Sequence, residues 1–113
     1  MARISKISKA SPAAVEEALI RLGQNIRTAR LRRRLSRNEL AERIGISRQV
    51  LAQIEKGKPT TAVAAYLGAL WALGLLNQLK YVADPDHDEE GKTLERARSP
   101  KSAPKRRKMD DDF

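Results

Sequence analysis

Apolar residues recur at three- and four-residue intervals over the first two thirds of the chain and then thin out, so the sequence predicts a helical body followed by a tail. Ser11-Pro12 sets a capping hydroxyl before a proline, and Glu16 and Glu17 follow in the opening turns, so a helix is predicted from about residue 12. Its stripe is Val15, Leu19, Leu22, Ile26 and Ala29, with Arg27, Arg30, Arg33 and Arg34 mostly elsewhere and Gly23 inside it as a break or a weak point. Ser36-Arg37-Asn38-Glu39 reads as a capping box that starts a second helix, with Leu40, Ala41 and Ile44 inward and a stop at Gly45. Ile46 bridges the turn. Ser47 then caps a third helix, Arg48 to Lys56, anchored by Leu51 and Ile54 and closed by Gly57 ahead of Pro59.

Thr60 or Thr61 is expected to cap a fourth helix to about Leu73, packing through Val63, Leu67, Leu70 and Trp71, and a shorter fifth covers Leu75 to Val82. These two carry more apolar surface than a small five-helix core can hide. Leu67, Leu70, Trp71, Leu75, Leu76 and Leu79 are therefore candidates for a dimer or partner surface, and homodimerisation is the simplest way to cover it. The uncharged run Ala62 to Leu76 is short of the roughly 20 residues that span a bilayer, so no membrane partner is expected. From Asp84 the few apolar residues, among them Leu94, Met109 and Phe113, are interrupted by prolines. Such a stretch cannot offset its chain entropy, and a flexible tail is expected, with a short helix over about Glu89–Arg98 at most. The expected organisation is a flexible basic arm (1–11), an all-α helical domain (12–83) and a flexible charged tail (84–113).

Composition narrows the chemistry. In 113 residues there is no cysteine and one histidine, His87, which excludes thiolate zinc sites, cysteine nucleophiles and His-pair metal centres. Asp84, Asp86, Asp88, Glu89 and Glu90 around His87 have no spacing that preforms a metal site. Neither a catalytic residue nor a cofactor is expected. Aromatics are 4% of the chain, so the core must be aliphatic, which argues against a β-sandwich. The net charge is +9, and it is concentrated: residues 1–83 hold fifteen basic against five acidic side chains, whereas residues 84–98 hold three against six. An acidic partner such as nucleic acid follows for the helical body. The N-terminus lacks the apolar stretch of a secretory signal, so the cytoplasm is the expected location.

Two short helices joined at Gly45, the second rich in polar side chains, form a helix-turn-helix pattern. The run Ile26-Arg27-x-x-Arg30 … Leu35-Ser36-x-x-Glu39-Leu40-Ala41-x-x-Ile44-Gly45-Ile46-Ser47-x-x-x-Leu51-x-x-Ile54-Glu55-x-Gly57 resembles the Xre/Cro-type helix-turn-helix family of phage and bacterial repressors, over roughly residues 22–76. The resemblance implies that the third helix enters the major groove of double-stranded DNA, with Arg48, Gln49, Val50 and Gln53 on base edges. Arg pairs with guanine and Gln with adenine bidentately, and Val50 can meet a thymine methyl. Arg37, Asn38, Ser47 and Lys58 fall where the family contacts phosphate, and Arg30 and Glu55 fall where it places a partly buried structural ion pair. Arg32-Arg33-Arg34 departs from the family, which commonly has glycine just before the position of Leu35.

A second resemblance covers Leu75-Leu76-Asn77-Gln78-Leu79, Ala83-Asp84-Pro85-x-x-Asp88-Glu89-x-Gly91-x-x-x-Glu95-Arg96, the block Lys105-Arg106-Arg107-Lys108 and the acidic end with Phe113. It is similar to HipB-like antitoxins, which pair with HipA-like kinases. That implies a dimeric repressor of its own operon that sequesters a serine/threonine kinase toxin, with Phe113 among the candidate contacts. A stand-alone regulator and a protein-interaction adaptor are the rival readings.

Overall fold

The computed structural model describes residues 12–98; the expected basic arm over 1–11, the basic block at 105–108 and Phe113 lie outside them. The chain divides into two compact units, Met1–Asn77 and Gln78–Phe113. All regular structure among the described residues is helical. The first unit holds α1 (Ala13–Arg32), α2 (Arg37–Ile44), α3 (Arg48–Lys56) and α4 (Val63–Ala72). A 3-10 turn, Leu76–Tyr81, follows where a fifth α-helix was expected.

α1 packs chiefly on α3, and α2 lies against both α3 and α4. The core is aliphatic as expected, formed by Ile26, Ala29, Leu40, Ala41, Leu51, Ile54, Ala69, Leu70 and Leu73, with Tyr66 added. Gly23 neither breaks α1 nor weakens its place in the fold. It is buried where α1 crosses α3, and a Cβ there would stand 2.8 Å from the Glu55 carbonyl oxygen. The missing side chain lets the two backbones meet. Val15, expected in the buried stripe, is 39% exposed. The cause is length: a nine-residue helix covers only about 13.5 Å of a twenty-residue one, and the contacts of α3 and its Gly57 cap with α1 run from Arg30 back to Leu19, a turn short of Val15.

α4 differs from expectation at its start and in its facing. Neither Thr60 nor Thr61 caps it; the chain enters through Ala62 with no side-chain cap. Its inner face is Tyr66, Ala69, Leu70 and Leu73, which leaves Val63 70% and Trp71 61% exposed. At about 100° per residue Tyr66, Ala69, Leu70 and Leu73 fall within one arc of the helix, and Trp71 falls on the far side from its centre. The Tyr66 hydroxyl donates to the Lys58 carbonyl at 2.8 Å, and burial raises the phenol above its ordinary 10.0, which keeps it a donor.

In the second unit Asp84 caps a short 3-10 turn, Pro85–His87, and α5 covers Glu89–Arg98. The short helix expected inside the tail is present with the bounds expected for it. Local bonds hold α5, including the Asp88 carboxylate accepting from the Gly91 amide at 2.9 Å, and no residue of it is buried. The described residues contain no metal-holding group of His, Cys, Asp or Glu, and no helix long and apolar enough to cross a membrane.

Candidate nucleic-acid interface

The pair α2–α3 is specified by its own ends. Ser36 and Glu39 form a reciprocal box, with the Glu39 amide donating to Ser36 Oγ at 3.0 Å and the Ser36 amide to Glu39 Oε1 at 2.7 Å. The two bonds from Ser36 hold the Glu39 carboxyl below its ordinary 4.5. α2 stops at Gly45, whose φ of +88° lies in the left-handed region that a side chain disfavours. Ser47 then caps α3 by accepting from the Val50 amide at 3.1 Å. With that lone pair occupied, its O–H still has a proton to donate to a phosphate.

Glu55 ties three helices together. Its carboxylate accepts from Arg30 of α1 at 2.6 and 3.1 Å and from Arg37 of α2 at 3.1 Å. Arg30 also donates to the Leu35 carbonyl at 3.0 Å, so the buried guanidinium is satisfied. Burial pushes the Glu55 carboxyl upward, but the bonds from Arg30 and Arg37 prevail and hold it below 4.5. The expected pair Arg30–Glu55 is present and is a triad. Arg37, expected as a phosphate contact, is half of a structural bond, yet 41% of its side chain remains exposed. One guanidinium has donors enough for both tasks.

α3 turns Leu51, Ile54 and Glu55 inward and leaves Arg48, Gln49 and Gln53 exposed, with Val50 half-buried. Lys56 is exposed as well. Gln49, Gln53 and Lys56 recur at four- and three-residue steps and so form one outer line along the helix. That spacing was a signal for Lys56 which the sequence reading did not use. Gln53 has a further partner: Thr61 Oγ1 donates to its Oε1 at 3.1 Å, linking the outer face to the loop before α4. A carbonyl oxygen has two lone pairs, so the Gln53 amide edge keeps an acceptor and both donors for a base. Asn38 and Lys58 are exposed. The Lys58 backbone is fixed at both ends, its amide donating to the Gln53 carbonyl at 3.1 Å and its carbonyl holding Tyr66.

The residues expected to form a dimer or partner surface divide. Leu70 is buried inside the first unit and leaves the set, because it is part of the face that packs on α2. Trp71 and Leu76 are exposed, and Leu67 and Leu75 are half-buried; Leu79, in the second unit, is half-buried too.

A helix-turn-helix with its polar side chains outward is an arrangement with which many proteins read duplex DNA. Compared with known protein families, residues 26–65 match the one described as Helix-turn-helix. The match supports a DNA-binding transcription regulator. No curated protein and no solved structure matches the chain.

Proposed function

We propose that the protein is a sequence-specific, homodimeric repressor and the antitoxin of a toxin–antitoxin pair, which represses its own operon and neutralises a HipA-like serine/threonine kinase. It acts in the cytoplasm, by binding and not by catalysis. The observation that carries the DNA-reading part is the outward set Arg48, Gln49 and Gln53 on a helix anchored behind by Leu51 and Ile54. Each bidentate Arg–guanine or Gln–adenine pair discriminates against a wrong base by about 1–3 kcal/mol. Arg37, Asn38, Ser47 and Lys58 supply contacts to phosphate, which fix register without reading sequence. The kinase-binding part is supported by the similarity of the segment after α4 to HipB-like antitoxins, and by the acidic balance of residues 84–98 beside a basic body.

The test starts by selecting a preferred duplex from a random pool. Arg48→Ala and Gln49→Ala should then lower affinity for that duplex by about tenfold or more each and lower affinity for random DNA far less. Equal losses on both would refute base reading by α3. For the partner, a chain cut after Ala83 should keep DNA affinity and lose inhibition of the kinase encoded beside it. Retained inhibition would move the kinase contact to the helical body, and no adjoining kinase gene would favour the stand-alone regulator.

A further inference from the structure

Among the described residues, four turns close in the same way: an amide bonds back five residues while the residue before it is left-handed. They are Leu35 to Arg30, Ile46 to Ala41, Lys58 to Gln53 and Leu75 to Leu70. The left-handed position is Gly45, Gly57 and Gly74 in three of them, with φ of +88°, +73° and +77°. In the first it is Arg34, at φ +56°. A side chain there meets the neighbouring carbonyl oxygen, which is why such stops favour glycine. The turn cannot relax to avoid it. The Arg34 amide donates to the Leu31 carbonyl at 2.9 Å, and the carbonyl of the next residue, Leu35, is gripped by the buried Arg30.

A backbone cost that the fold imposes, at a position where glycine would remove it, points to a use for the side chain. Charge at the end of α1 is one candidate use, since cations favour a helix C-terminus. That place is already filled, because Arg33 Nη1 donates to the Ala29 carbonyl at 3.0 Å. The other candidate lies ahead in the chain. Arg34 stands two residues before the Ser36 cap and three before Arg37, whose partly exposed guanidinium is held by Glu55 of α3. Three residues span at most about 10 Å, so Arg34 brings its positive charge within that reach of Arg37, which is bonded to Glu55 of α3.

We propose that Arg34 is a DNA phosphate contact, extending the backbone grip of Arg37 to the turn between α1 and α2. This rests on the reading above that α3 docks on duplex DNA. It does not need the operator, because a phosphate contact acts on any sequence.

The full chain, Arg34→Gly and Arg34→Lys are compared for thermal midpoint and for affinity to a random-sequence duplex as a function of salt. Arg34→Gly should melt about 4 °C higher and bind roughly eightfold more weakly at 0.1 M salt, the factor one released counterion gives, with the slope of log K against log salt reduced by about 0.9. Arg34→Lys should keep the slope and gain no stability. An unchanged salt slope in Arg34→Gly, or a lower melting point, overturns the proposal. If the wild-type chain fails to bind any duplex, the functional reading falls and this inference with it; if it binds and Arg34→Gly equals it, only the role of Arg34 falls.

Discussion

At the scale of single residues, Glu55 has the largest consequences, since its carboxylate is nearly inaccessible and both of its oxygens are bonded. Removing one side of such a buried ionic cluster leaves charge without a partner and costs about 3–5 kcal/mol. Glu55→Ala should therefore lower the urea midpoint by most of what a small domain has, and abolish DNA binding through unfolding. Its titration gives a second readout. A carboxyl whose native pKa lies below the unfolded value stabilises fully above 4.5, and that contribution is lost as pH falls through the native value. Stability should be flat in this respect near neutrality and decline in acid, and in Glu55→Gln part of the decline should vanish. If the wild type and Glu55→Gln lose stability in parallel below pH 4.5, the carboxylate is not held ionised by Arg30 and Arg37.

At the scale of elements, most of what a short window of sequence could reveal was revealed, the cap expected at Thr60 or Thr61 excepted. Ser36 with Glu39, Gly45, and Ser47 with the amide three residues on are local devices, and each stands where the pattern put it. What escaped lies between residues far apart in the chain. Nothing near Gly23 announces that α3 passes within a methyl group of it, just as nothing near Arg37 announces a carboxylate eighteen residues later. The rotation of α4 was hidden for a related reason. A run with almost no polar residue has no polar side to mark which way it faces, so Val63 and Trp71 looked as suited to the core as Tyr66. Two substitutions weigh local against distant terms. Gly23→Ala improves intrinsic helix propensity by about 1 kcal/mol but forces a methyl into the backbone of α3, and overpacking of that kind typically costs about 1–3 kcal/mol. A net drop in melting temperature is expected, and a rise would mean that α1 and α3 separate freely. Ser47→Ala removes only the α3 cap, at about 1 kcal/mol. Because Arg48 and Gln49 follow directly, specific DNA affinity should fall more than the melting curve implies.

At the scale of the whole molecule, the open question concerns the outer side of α4. Val63, Leu67 and Trp71 follow one another at four-residue steps and stay at least partly exposed after the first unit has folded. No charge interrupts the run from Ala62 to Leu76, so desolvating this strip meets no ionic penalty. A second copy of the chain is a suitable cover, because a two-fold pair of reading helices engages two half-sites about one turn of DNA apart and combines two modest affinities in one encounter. Trp71→Glu places a charge on the strip while sparing the core, since the indole is mostly outside it. Helix content by circular dichroism should be unchanged, whereas sedimentation at micromolar concentration should shift from dimer to monomer. Affinity for a duplex carrying two half-sites should fall by at least tenfold, and affinity for one half-site should hold, since Arg48, Gln49 and Gln53 remain as they were. A variant that stays dimeric would assign association to a different surface, and a wild-type chain that sediments as a monomer would remove the two-fold geometry from the repressor reading.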